Sequence, residues 1–245
     1  MRLEYAVIAA QTQGLRLRAR TENDANACPF SRRNVEYHLV VDSRSLRCFA
    51  WSKADPLGAE FAEVRVSGDV LAARGVAIGS APFPYRLDYE LETASAFVTS
   101  RLLVTARGNG WIRSLDLQRV SSGVWEETWT ENGANSLPRR APTDLRTLTG
   151  ALDVDLGLSP LLNTPPVLRH GLFQREASIE FVMAWVSVPD LAVHRSPQRY
   201  TFLRMIDHER SLVRFESLAE DGFKADITYD AEGFVLDYPG IGARI

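Results

Sequence analysis

The stretch YRLDYELE, residues 85–92, alternates strictly. Tyr85, Leu87, Tyr89 and Leu91 fall on one side of an extended chain, and Arg86, Asp88, Glu90 and Glu92 on the other. A period of two is the period of a β-strand, and a polar second face means that one side meets water. Working outward, the same style recurs in FVTSRLLV (97–104), WIRSLDLQ (111–118), RYTFLRMI (199–206), SLVRFES (211–217), FKADITYD (223–230) and FVLDYP (234–239). The last two are joined by AEG (231–233), a short hairpin connection in which Gly233 is available for a positive φ. IEFVMAWVSV (179–188) is apolar on both faces, which predicts a strand covered on both sides and a buried Trp185. Roughly a dozen strand candidates result, at the spacing of a sandwich, roll or barrel. No amphipathic helix of about 12 or more residues appears. The expectation is an all-β fold with one β domain over residues 46–245.

Residues 1–45 read differently. RLRARTENDANACPFSRRN (16–34) is polar and aperiodic, with little to bury, and predicts a mobile N-terminal arm. Acidic residues interrupt its arginines, so it reads as a solvated tail. The whole chain carries 28 basic and 31 acidic residues for a net charge of −3, without a basic stripe for nucleic acid. Cys28 and Cys48 belong to no CxxC pair and are expected as free thiols. The run AVIAA (6–10) is too short for a secretory core, and no run approaches a membrane span, so a cytoplasmic protein is expected.

One segment breaks the alternation: DVDLGLSPLLNTPPVLRHGL, residues 153–172. It starts as a strand with Asp153 and Asp155 on one face. Ser159 is placed to cap a helical turn with Pro160 at its first position. Pro165 and Pro166 are then expected to force an extended exit, because proline disfavours the helical region in the residue before it.

This segment also carries a resemblance. The chain resembles a bacterial family proposed to bind glycolipids and formerly classed as a domain of unknown function, whose motif runs DxDLGxxPxTNTxPIRRL. The matching positions are Asp153, Asp155, Leu156, Gly157, Pro160, Asn163, Thr164, Pro166 and Arg169. Further blocks follow in the family's order: IGSAPFPYRLDYEL and FVTSRLLV before the motif, then AWVSVPDL, QRY, VRFES and DAEGFVLDYPG. The resemblance covers residues 46–245. It implies a spiral β-roll of a dozen or more antiparallel strands around one short helix, similar to lipid and lipoprotein carriers. Four positions depart from the motif. Leu162 stands for threonine, Pro165 for a common leucine, Leu168 for the first arginine of a pair, and His170 for leucine.

The function read from these features is the binding of an amphipathic small molecule, such as a glycolipid, in an apolar cavity with polar head-group contacts. The candidate contacts are Asp155, Asn163, Thr164 and Arg169, with Trp51, Arg86, Tyr89, Arg101 and Tyr200 as further lining positions. Arg169 offers a fork of donors to an anionic head group. The competing reading has Arg169 neutralising Asp153 or Asp155 while Asn163 holds the turn. A rival function is a small hydrolase or isomerase using Asp153, Asp155 and His170, and another is a structural or interaction protein with a filled core. The four histidines, His38, His170, His194 and His208, lack metal-ligand spacing. There is no GxSxG elbow, P-loop or GxGxxG. No catalytic residue, metal or cofactor is assigned.

Overall fold

The computed structural model describes residues 46–133, 140, 143–219 and 222–245. The expected N-terminal arm, residues 1–45, lies outside them. The described residues form one fourteen-stranded sheet. Its first seven strands are a meander: β1 (Leu46–Ala54), β2 (Leu57–Ser67), β3 (Val70–Gly79), β4 (Tyr85–Thr93), β5 (Thr99–Gly108), β6 (Trp111–Arg119) and β7 (Trp125–Gly133). After β8 (Asp153–Leu156) and helix α1 (Thr164–His170) comes a second meander. It comprises β9 (Ser178–Val186), β10 (Val193–Met205), β11 (Arg210–Ser217), β12 (Lys224–Asp230), β13 (Val235–Tyr238) and β14 (Gly242–Arg244). β14 pairs with β1, which joins the two meanders, and β8 adds to the far edge beside β9.

The strand read from residues 85–92 is β4. Tyr85, Leu87, Tyr89 and Leu91 are buried, and Arg86 and Glu92 are exposed. Each fully buried leucine contributes roughly 1.5–3 kcal/mol relative to exposure. Three strand glycines receive an aromatic ring from the partner strand: Tyr89 over Gly75, Tyr85 over Gly79 and Trp111 over Gly108. A Cβ on Gly75 would lie 2.2 Å from the Tyr89 ring, so a side chain there displaces the tyrosine. Gly233, at φ +84°, closes the β12–β13 connection as expected.

The sheet curls until its β8 edge meets the first meander. Thr99 N–H donates to the Leu152 carbonyl at 2.9 Å, and Trp125 Nε1 donates to the Ala151 carbonyl at 3.1 Å. One apolar cluster is therefore shared by β1–β6 with β8, β9, Leu161 and Leu162, while a second joins β10–β13 to Val167 of α1.

The expected all-β fold around one short helix is seen, with one parallel strand pair in the sheet, and the expected course of the crossover is corrected. The sheet is not wholly antiparallel, because β8 and β9 run parallel, with Asp155 opposite Trp185. Parallel neighbours need a crossover, and the unusual stretch is that crossover. Nor do the prolines force an extended exit. A 3₁₀ turn, Leu161–Asn163, runs into α1, and Pro165 and Pro166 lie buried in its first turn. The first helical N–H groups have no intrahelical partner, so prolines there forfeit nothing. Burial of Val167 and packing of Leu168 against the core outweigh the local preference. α1 stops at Gly171, which is left-handed at φ +61°.

Candidate functional site

Asp153 and Asp155 share a face of β8 but have different partners. Arg169, on α1, grips Asp153 with both guanidinium NH₂ groups: Nη1 reaches Oδ1 at 2.9 Å and Nη2 reaches Oδ2. Burial pushes the Asp153 carboxyl up, and the Arg169 bonds and charge oppose that rise. Arg169 is thus committed to a buried carboxylate, and its Nε also donates to His170 Nε2 at 3.3 Å. His170 packs at a tilt against Phe181, with ring centroids 5.2 Å apart.

Asp155 is treated otherwise. Gln198 Nε2 donates to its Oδ2 at 2.7 Å, and among the described residues this is its one hydrogen-bond donor. Burial pushes its carboxyl up to about 6, with the Gln198 bond pulling only partly against that. The residue is half-buried and opens onto a cleft of about 440 Å³. Trp185, Val188, Phe215, Phe223, Tyr238 and Ile241 supply apolar surface there. Three directly paired residues cross the cleft: Asp155 on β8, Trp185 on β9 and His194 on β10. The Trp185 and His194 rings meet in a tilted contact, 5.4 Å between centroids.

Behind the cleft runs a chain of buried hydrogen bonds. Tyr200 O–H donates to Asn163 Oδ1 at 2.6 Å, and Asn163 Nδ2 donates to the Ser159 carbonyl at 3.1 Å. Ser159 Oγ and Tyr89 O–H each donate to Glu60 Oε1 at 2.7 Å. Lys53 Nζ lies 3.6 Å from Glu60 Oε2. Burial raises Glu60 and lowers Lys53, each opposed by the charge of the other. Ser159 therefore does not cap the turn as read from sequence; its hydroxyl locks the crossover to β2.

Of the nine candidate contacts, the structure brings Asp155 and Asn163 to this cleft. Tyr200 stands directly behind Asn163, and Thr164 is wholly buried with a hydroxyl that has no partner among the described residues. Trp51 is buried, donating Nε1–H to the Val235 carbonyl at 3.0 Å, and Tyr89 is buried on Glu60. Arg86 pairs with Asp88 and Arg101 with Asp116, away from it. Trp185 is a correction, since it is half-buried at the cleft instead of enclosed in the core. Gln198, Ser196 and His194 were not visible as site residues, because Pro197 disguises the first half of β10 as non-strand.

The motif departures have structural consequences. Leu162 is fully buried in the apolar core and Leu168 packs against it. Among the described residues, no group of three or more metal-binding side chains occurs, Cys48 is free and exposed, and no helix is long and apolar enough to cross a membrane.

A curled, mostly antiparallel sheet with one short helix defines the fold as all-β, and a recess lies beside its parallel strand pair. Residues 48–244 match the family described as "Putative glycolipid-binding", and the chain belongs to that family. The crystal structure of a DUF1089 family protein from Pseudomonas aeruginosa is similar in fold. Its TM-score is 0.57 at 24% identity, covering 76% of this chain and 92% of that one. Comparison with curated proteins gives no match.

Proposed function

We propose that the cleft holds an amphipathic small molecule, a glycolipid in the sense of the family description. The observation that carries this reading is the combination in one recess of about 440 Å³ of aromatic and aliphatic walls with a carboxylate that has a single donor among the described residues. Ligand sites are commonly recesses of about 300–1,000 Å³, mostly apolar with a few placed polar groups. Trp185, Phe215 and Phe223 take the apolar part. Asp155 and Ser196 take the head group, with the buried Gln198 amide bonded to both and fixing their positions. The hydrogen-bond chain from Tyr200 through Asn163 and Ser159 to Glu60 keeps the floor rigid, so binding needs little reordering.

Arg169 acts as a structural counter-ion in this reading, because Asp153 already occupies its fork. Of the trio read as a possible catalytic set, Asp153 is held by Arg169, Asp155 by Gln198, and His170 lies on Phe181.

The test is native mass spectrometry of the purified protein, with lipid extraction, on wild type and Ser196→Trp. The proposal expects a one-to-one amphiphile adduct on wild type, retained or taken up, and its loss when the indole fills the cleft. Wild type that neither carries nor takes up any amphiphile contradicts it.

A further inference from the structure

We propose that Asp155 is the head-group selector of the cleft, accepting hydrogen bonds from an uncharged, hydroxyl-bearing head group and turning away anionic ones. This narrows the amphiphile reading and rests on it.

The two carboxylates of β8 contrast. Asp153, fully buried, has an arginine fork. Asp155, two residues on, has one neutral amide among the described residues. A carboxylate withdrawn from water normally carries an ionised partner or several donors. The groups that face Asp155 do not provide one. Burial raises the phenols of Tyr200, Tyr229 and Tyr238, and the charge of Asp155 adds to that rise, so they stay neutral. His194 and Arg195 line the cleft but are exposed, and neither draws the carboxyl down.

The other polar side chains on the crossover side are already engaged. Asn163 is bonded at both ends, and Ser159 donates inward to Glu60. Ser187 Oγ donates to Asp190 and to the Ala192 carbonyl. Asp155 therefore has acceptor capacity left for a ligand. Directly opposite it in register, Trp185 walls the apolar side of the cleft, so an alkyl chain lying on the indole brings its head group to Asp155. The cleft has a negative charge at Asp155 and a positive one at Arg195. An anion meets the first and an ammonium meets the second, whereas a neutral polyol donates to one and accepts from the other.

The experiment is calorimetric titration of the full chain with three probes of equal chain length below their micellar concentrations: octyl β-glucoside, octanesulfonate and octylammonium. Wild type is expected to bind the glucoside tightest. Asp155→Asn is expected to weaken the glucoside about fivefold, the difference between a charged and a neutral acceptor, and to strengthen octanesulfonate. Wild type also supplies a readout that needs no variant: between pH 7.5 and 5 the glucoside–sulfonate gap should narrow as Asp155 takes a proton. An unchanged ranking in the variant and across pH, or octylammonium binding tightest, overturns the selector role while leaving amphiphile binding intact. If none of the three probes binds wild type, both readings fall.

Discussion

Replacing Arg169 with leucine separates a structural arginine from a ligand-binding one. Asp153 is fully buried, and Arg169 is its ion-pair partner through two guanidinium nitrogens. Removing one partner of a buried pair leaves an uncompensated charge, at about 3–5 kcal/mol. For a domain of this size 1 kcal/mol moves the melting temperature by roughly 2–4 °C, so Arg169→Leu should melt about 6–20 °C lower at pH 7.5. The loss should shrink in acid. With Arg169 gone, burial acts unopposed by that arginine and holds the native Asp153 pKa above its unfolded value. The native state then binds more protons than the unfolded state, and stability falls as pH rises through that interval. Arg169→Leu should accordingly sit nearer to wild type at pH 5 than at pH 7.5, and adding Asp153→Leu should restore much of the loss. The assay is differential scanning calorimetry of the three proteins across that range. Arg169→Leu melting as wild type does at pH 7.5 refutes the reasoning.

Asp155→Asn gives a second pH test. The wild-type carboxyl is raised to about 6, against about 3.9 unfolded, so wild type loses stability as pH rises between those values. The variant lacks that loss and should gain about 2 kcal/mol on wild type between pH 4 and pH 8, allowing for the carboxyl's open side; parallel urea-unfolding midpoints across that span would count against it. Gly75→Ala should destabilise by about 1–3 kcal/mol, because the new methyl displaces the Tyr89 ring and its bond to Glu60; equilibrium unfolding measures it. Trp185→Ala should cost about 1–2 kcal/mol, below the roughly 3–5 of an enclosed tryptophan, and the Trp185→Phe difference spectrum should show partly solvated indole emission.

The β architecture was legible because burial follows the two-residue period of β4 residue by residue. Legible, too, was the crossover as a special segment, though not its course. A seven-residue helix is too short to declare itself by periodicity, and its prolines argue locally for the opposite conformation, which packing of Val167 and Leu168 overrides. Trp185 shows the limit for the site. Its strand is apolar on both faces, yet parallel pairing sets it opposite Asp155 at a cleft wall. Strand order and direction, not composition, decide that. Gln198 was hidden because Pro197 masks that part of β10 as non-strand, although the strand runs on and pairs Gln198 with Ser217 of β11.

The most direct test of the central claim is a crystal structure of the protein with octyl β-glucoside. The account predicts the alkyl chain against Trp185, Phe215 and Phe223, with a glucose hydroxyl within hydrogen-bond distance of Asp155. A saturated crystal with the cleft holding only water, or the detergent bound elsewhere, would contradict it.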